Sequence, residues 1–212
     1  MNEFSAVITA DIVNSSKLNE EELAILATEL IGVLKAGKAK NHFYRGDSFH
    51  ALCRPKHAFV LALKLRAIAR VFKPVNENEQ IDIRIAIGLG DVEMPVKNLA
   101  TAKGEAFILS GRELDVISKS AKRLSIRIAD EKLNPGMEAI SLIADNIMQK
   151  MSSKQAEVIL ELLNGATEIE IAGKLGKSQS TVNKLKQAAG WNELEQAIKI
   201  FSSMLATIHT TI

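Results

Sequence analysis

A short buried strand is predicted by the stretch Ala6-Val-Ile-Thr-Ala-Asp-Ile-Val-Asn-Ser-Ser16. Its apolar residues include the β-branched pair Val7 and Ile8, which favour a strand. The strand delivers one carboxylate, Asp11, to its C-terminal end. Small polar residues of the turn and N-cap types follow, namely Asn14, Ser15 and Ser16. Because the backbone N–H groups of such residues can face an anion, the stretch predicts half of a metal–phosphate site.

The other half of this site is predicted at Arg45-Gly-Asp-Ser-Phe49, where a Gly-Asp pair between two short strands signals a hairpin. Adjacent strands lie about 4.8 Å apart, so Asp11 and Asp47 could share a cation. Magnesium is usually held by one or two carboxylates together with substrate phosphates. We therefore expect Mg²⁺ or Mn²⁺ on Asp11, the carbonyl of Ile12 and Asp47. The alternative is that Asp11 caps a helix and Asp47 only makes a turn.

The order of elements predicts the fold class. Helical spacing over 20–36 follows the first strand, and two hairpin strands, 42–45 and 48–53, come next. A helix from Pro55, an alternating strand over 81–88, a helix over 104–121 and a strand over 124–129 complete the series. The resulting order, β-α-β-β-α-β-α-β, predicts an α+β domain of the ferredoxin-like or palm type, with helices on one face of an antiparallel sheet.

Composition and charge limit the remaining classes. The 212 residues suffice for one or two domains, and 47% hydrophobic content is ordinary for a globular protein. A net charge of +2 does not by itself indicate nucleic acid. The single cysteine, Cys53, suits a reducing compartment, and no stretch approaches the roughly 18 apolar residues of a membrane span. We expect a cytoplasmic protein with no membrane partner.

The β signal disappears beyond residue 151. We expect a cyclase-like α+β domain over 1–132, a linker helix over 133–151 and an all-α helix-turn-helix domain over 152–212. Ala172, Gly176 and Val182 fall where a helix-turn-helix needs a small residue, a turn glycine and a buried aliphatic.

Four segments of the first 130 residues resemble class III nucleotide cyclase catalytic domains, and more closely the SatD family of bacterial proteins. They begin at Asp11, Gly46, Arg84 and Gly104 and occur in the order found in cyclases. The resemblance implies that Asp11 and Asp47 hold the metal and that Arg112 serves the transition state if the chain is active. It also implies that Glu105 contacts a nucleotide base, and that two copies pair as a homodimer.

Two departures from the cyclase pattern bear on activity. Ile108 stands where the family places an asparagine four residues before Arg112, and Phe43 stands where it places the base-selecting lysine. Loss of one positioned stabiliser typically costs about 10²–10³ in rate. These replacements predict little or no cyclisation of ATP or GTP.

The third predicted helix of the C-terminal segment has features that suggest DNA binding. Between residues 173 and 192 there are four lysines and no acid. The side chains expected to face base edges and phosphates are Lys177, Gln179, Ser180, Asn183, Lys184, Lys186 and Gln187. They favour a DNA-binding regulator whose N-terminal domain binds metal and a nucleotide.

Two other readings of the whole chain stay open. The first is a metal-dependent nucleotide-processing enzyme whose C-terminal domain docks a partner, and the second is an interaction module in which both sites are vestigial. The four histidines, His42, His50, His57 and His209, have no ligand spacing and are interpreted as structural.

Overall fold

Strands and helices follow one another in the predicted order. The computed structural model describes residues 1–44, 46–75 and 80–208, so Arg45 and His209 lie outside the described residues. The described strands are β1 (Asn2–Val13), β2 (Lys40–Tyr44), β3 (Ser48–Cys53), β4 (Asp82–Glu93) and β5 (Leu124–Ile128). The described helices are α1 (Glu20–Ala36), α2 (Pro55–Val71), α3 (Glu105–Ser118), α4 (Asn134–Lys150), α5 (Ser153–Leu163), α6 (Glu168–Leu175), α7 (Gln179–Ala188) and α8 (Trp191–Ile208).

The five strands form one sheet in the order β2-β3-β1-β4-β5. Three of the pairings are antiparallel and the fourth, β4 with β5, is parallel. In the register, Asp11 of β1 lies opposite Ser48 of β3 on one side and opposite Arg84 of β4 on the other. This mixed sheet with its helices confirms the predicted α+β class, whereas the predicted fully antiparallel sheet is wrong, because β5 runs parallel to β4.

The expectation that all helices lie on one face of the sheet is wrong. Alternate β1 residues such as Ile8 join the main core with Leu26 of α1 and Phe59 of α2. Val7 points the other way and packs with Ala106 of α3 in a second, smaller core. Because successive side chains of a strand alternate between faces, α3 covers the face opposite to α1 and α2.

Two glycines explain how α3 fits against the sheet. The sequence predicts that the strand ends near Gly88, but β4 continues to Glu93. A Cβ at Gly88 would lie 2.6 Å from the backbone nitrogen of Ser110, and one at Gly90 would lie 3.3 Å from that of Ala106. These glycines therefore permit close approach of α3 and do not interrupt the strand.

A buried ion cluster joins α2, β4 and α4. Arg66 of α2 donates through Nε and Nη2 to both oxygens of Asp82 (3.0 and 2.7 Å) and through Nη1 to Asp145 (2.8 Å). Arg70 donates to Asp82 (3.0 Å) and to the backbone carbonyl of Met151 (2.6 Å through Nη2). Because Met151 follows the last residue of α4, the cluster fixes the end of that helix on the N-terminal domain.

The C-terminal helices contribute to two separate cores. Val158, Ile171 and Val182, from α5, α6 and α7, form a small cluster of their own. In contrast, α8 joins the main core, where the rings of Phe201 and Phe59 lie 5.2 Å apart. Within the described ranges, no helix is long and apolar enough to cross a bilayer.

Candidate functional site

Asp11 lies on the face of the sheet that α3 covers, close to the C-terminal end of β1. Arg84, its cross-strand partner, donates from Nη1 to both Asp11 carboxylate oxygens at 2.9 Å. The contact is half-open, because 16% of the Arg84 side chain and 27% of the Asp11 side chain remain exposed. The sequence gives no signal for this contact, because only the strand register places Arg84 opposite Asp11.

Asp47 is held against the loop that follows β1. Ser15 Oγ donates to Asp47 Oδ2 (2.7 Å), and Ser48 Oγ donates to Oδ1 (3.1 Å). The backbone N–H of Ile12 donates to the Asp47 carbonyl (2.9 Å). The hairpin carboxylate and the end of β1 are therefore brought together, as the sequence predicts.

The loop of residues 14–16 does not provide the N-cap that the sequence predicts for the next helix. Asn14 takes the left-handed conformation (φ 61°), which asparagine tolerates, and Ser15–Lys17 form a single 3₁₀ turn. The side chain that caps α1 is Asn19, in a reciprocal capping box with Glu22. Ser15 thus binds Asp47, while Ser16 lies in the 3₁₀ turn.

Two of the predicted site residues lie on α3. Glu105 is far from Asp11, and Arg112 is exposed to solvent. Glu105 is next to Gly90, which pairs with Ser5, six residues along β1 from Asp11. At about 3.3 Å per residue this separation is roughly 20 Å. Arg112 is exposed on the same helix. Within one chain, Glu105 therefore cannot contact a small group bound at Asp11.

The two positions that depart from the cyclase pattern carry apolar side chains in different surroundings. The Phe43 ring of β2 stacks on Phe49 of β3, with centroids 4.6 Å apart. Ile108 on α3 is 53% exposed. Neither side chain offers a hydrogen-bonding group to a ligand.

A polar chain under α3 was not anticipated from the sequence. Buried Thr9 donates to Ser110 Oγ (2.8 Å), and Ser110 donates to the Phe107 carbonyl (3.2 Å). Thr9 Oγ1 also lies 3.0 Å from His50 Nδ1. Because the single threonine proton goes to Ser110, His50 Nδ1 acts as the donor. Burial, with a smaller contribution from His42, lowers the pKa of His50, and this favours the neutral ring.

The positive charge predicted for the 173–192 window is largely neutralised by acids that precede this window in the sequence. Lys177 binds Glu157 (3.5 Å), and Lys174 binds Glu161 (2.7 Å). Glu168 accepts from Lys186 (2.9 Å) and from Asn183 (3.3 Å). The remaining predicted side chains, Gln179, Ser180, Lys184 and Gln187, are exposed on α7.

Comparison with known proteins gives resemblances among solved structures. A scan of family models and a search of curated proteins returned no match. Among solved structures, the chain resembles the dimeric guanylyl cyclase domain of the RhoGC fusion protein from the fungus Blastocladiella emersonii. The identity is 22% over 63% of this chain and 83% of that one, with a TM-score of 0.47.

Two further solved structures give the same result. The guanylate cyclase domain of RhGC from Catenaria anguillulae, in complex with GTP, is 22% identical over 63% of this chain and 82% of that one (TM-score 0.47). The active GGEEF domain of a diguanylate cyclase from Vibrio cholerae is 17% identical over 61% and 85% (TM-score 0.44). All three matched chains are nucleotide cyclase domains, each 22% identical to this chain or less.

The interpretation of this chain as a DNA-binding regulator is wrong. The solved structures reported above are nucleotide cyclase domains, and none is described as a DNA-binding protein. The structure supplies the physical reason: three of the four lysines in the predicted basic window form ion pairs with Glu157, Glu161 or Glu168. Asn183, expected to read a base edge, is bound to Glu168.

Proposed function

We propose that this chain is a cytoplasmic, metal-dependent enzyme that acts on the phosphate groups of a nucleotide. The observation that carries the proposal is the junction of two carboxylate-bearing elements: Ser15 and Ile12 tie Asp47 to the end of β1, next to Asp11. The single cysteine of the chain, Cys53, is a buried free thiol, which is consistent with a reducing compartment.

The donor set fits a divalent ion that arrives with phosphate. Within the part of the chain that the structure describes, no group of three or more His, Cys, Asp or Glu side chains could hold a metal alone. Two carboxylates plus substrate phosphates are a usual arrangement for Mg²⁺ or Mn²⁺. A carboxylate offers about four lone-pair sites, so Asp11 can bind an ion while it still accepts hydrogen bonds from Arg84.

Each protein group has a defined role in this proposal. Asp11, Asp47 and the carbonyl of Ile12 would hold the ion, which would neutralise phosphate charge and polarise a phosphoryl oxygen. Arg84 orients Asp11, and Ser15 fixes the rotamer of Asp47. Backbone N–H groups of the 14–16 loop would face phosphate, and Arg112 would stabilise charge in the transition state.

A second chain would complete the site. Because Glu105 lies roughly 20 Å from Asp11 within one chain, one nucleotide could meet both residues only across an interface between two copies. We therefore propose a homodimer in which Glu105 of one protomer meets the nucleotide held by Asp11 of its partner.

The proposal extends to family and domain organisation. The four cyclase-like segments support membership of the SatD family. The separate small core of Val158, Ile171 and Val182 supports a helix-turn-helix unit within 152–212, after a 1–132 domain and a 133–151 linker helix.

The test is turnover of ATP and GTP with Mg²⁺ or Mn²⁺, followed by ³¹P NMR so that cyclic, linear and hydrolysed products are distinguished. Asp11→Asn and Asp47→Asn should each lower kcat at least about a hundredfold, the scale for loss of one positioned electrostatic group. Asp115→Asn, a matched change on the exposed side of α3, should leave kcat unchanged. Absence of metal-dependent turnover, or equal rates in all four proteins, would refute the proposal.

A further inference from the structure

A second concave site lies at the end of the sheet remote from Asp11. It is a cavity of about 660 Å³ between the C-terminus of α1 and the N-terminus of α2. Arg54 on its rim follows Cys53, which pairs with Ala6, five residues along β1 from Asp11. Five strand residues span about 16 Å, so the cavity is separate from the candidate metal site.

The polar lining of the cavity is cationic. Its charged or titratable side chains are Lys38, Arg54, Lys56, His57 and Lys64, and no acid lines it. Across residues 1–44, 46–75 and 80–208, none of these five forms an ion pair, although several other basic side chains do. A chain with a net charge of only +2 thus concentrates unneutralised positive charge in one concave place.

The backbone adds to this positive field. α2 is 17 residues long and begins at the cavity with Pro55. Its N-cap, Arg54, makes no side-chain cap, and the first turn contains no acid. Pro55 has no N–H and the His57 N–H donates to the Arg54 carbonyl (3.0 Å), so the backbone contributes chiefly the positive end of the helix dipole, which favours an anion at the same place.

Two pKa shifts agree with this geometry. Partial burial lowers the pKa of His57, and Lys56, Arg54 and Lys38 lower it further. Burial lowers the pKa of Lys64. Charges from the α1–β2 connection and from the start of α2 thus act on one imidazole.

The cavity also has an apolar wall. Val60 and Leu61 of α2 line it, and Leu61 packs against Gly37, where any side chain would collide with it. Ligand pockets of about 300–1,000 Å³ commonly combine such apolar walls with a few polar anchors. A simple inorganic anion would leave this wall and much of the volume unused.

We propose that this cavity binds a small phosphorylated organic molecule of nucleotide size, with its phosphates on Lys56, Lys64 and the start of α2 and its apolar body against Val60 and Leu61. The site is independent of the catalytic proposal, since it needs neither Asp11 nor a metal. Its remoteness from Asp11 makes it a separate binding site and not a part of the reaction centre.

The test is calorimetric titration of the full chain in EDTA with ADP and, separately, with inorganic pyrophosphate. ADP should bind more tightly than pyrophosphate, because only ADP can use the apolar wall. Lys56→Ala/Lys64→Ala should weaken ADP binding roughly tenfold or more, through loss of two charge-assisted contacts. Lys132→Ala/Lys150→Ala, which removes the same charge from exposed positions elsewhere, should bind ADP as the wild type does.

Two further measurements separate this site from the metal site. Asp47→Asn should bind ADP in EDTA with unchanged affinity, and NMR should show the pKa of His57 rising when ADP binds, because an anion stabilises the imidazolium. Equal affinity for ADP and pyrophosphate, an equal loss in both double-lysine variants, or an unaltered His57 titration would each overturn the proposal. Metal-independent ADP binding that persists in an inactive Asp11→Asn protein would support it even if the catalytic proposal failed.

Discussion

Two arginine–aspartate contacts place the same chemical groups in different surroundings. Arg66 is fully buried and makes three hydrogen bonds to Asp82 and Asp145, which are themselves nearly sealed from solvent. Arg84 contacts Asp11 through one nitrogen, and both side chains remain partly exposed. The buried cluster cannot exchange its partners for solvent or a ligand without opening α2, β4 and α4, whereas the half-open pair can. The difference separates a contact suited to stability from one suited to binding.

Breaking the buried cluster should have the largest effect on stability. Burial acts to lower the pKa of Arg66, but Asp82 and then Asp145 outweigh it, and the net pKa is raised, so the guanidinium stays charged. Arg66→Met would leave the buried Asp145 without its cation and Asp82 with Arg70 alone, and we expect a loss of about 3–5 kcal/mol in the free energy of unfolding. Urea denaturation followed by circular dichroism measures this loss.

A double variant tests the physical reason for that loss. Arg66→Met/Asp145→Asn removes one of the stranded charges, yet the amide oxygen introduced at position 145 can still accept from the Arg123 N–H, as the Asp145 carboxylate does (3.0 Å). We expect the double variant to be more stable than Arg66→Met alone. A change below about 1 kcal/mol in Arg66→Met would show that the cluster is not a main source of stability.

The half-open pair should respond mainly in ion binding. Arg84→Gln removes a cation next to Asp11, and repulsion between unit charges at about 4 Å in water is about 1 kcal/mol, or roughly fivefold in affinity. We therefore expect the affinity for Mn²⁺ alone to rise roughly fivefold, measured by water-proton relaxation. Arg127→Gln, which changes an exposed arginine on β5, is the matched control. If Mn²⁺ binding is the same in all three proteins, Asp11 does not contribute to a cation site.

The order and type of the elements follow from local sequence signals, but their pairing does not. Alternation in the strand around Ile85 and helical spacing around Leu30 are properties of adjacent residues, and both elements form as predicted. The contact between Asp11 and Arg84 depends on the register of two strands 73 residues apart in sequence. Local patterns contain no information on that register.

Other features have signals in the sequence whose meaning depends on the packing around them. Gly88 and Gly90 suggest a loosened backbone at the end of a strand, whereas they admit α3 against the sheet. Arg66 and Arg70, one turn apart among the apolar residues of the buried side of α2, signal a buried ionic cluster. The lysine-rich window begins after the acids that neutralise it, such as Glu168, because residues that are adjacent in space need not fall in one sequence window.

A partly exposed ion pair in the C-terminal helices should give the smallest effect and should depend on pH. Glu168 lies at the first position of α6, and its hydrogen bonds from Lys186 and then Asn183 lower its pKa below the usual 4.5. Both members of the Glu168–Lys186 pair retain more than a fifth of their side-chain exposure, so solvent screens the contact. We expect Glu168→Gln to lower the free energy of unfolding at pH 7 by less than about 1 kcal/mol.

The sign of the pH dependence follows from the lowered pKa. A carboxylate with a depressed folded-state pKa contributes stability above its unfolded pKa, and this contribution is lost as pH falls through the folded value. The difference in stability between wild type and Glu168→Gln should therefore be full at pH 7 and shrink below about pH 4.5. Glu195→Gln, in the more exposed pair with Lys199 on α8, serves as the control. Urea titrations at pH 7, 5 and 4, each at low and high salt, measure the effect, since screening should also reduce it. A difference that grows toward low pH would mean that the Glu168 contact does not carry charge in the folded chain.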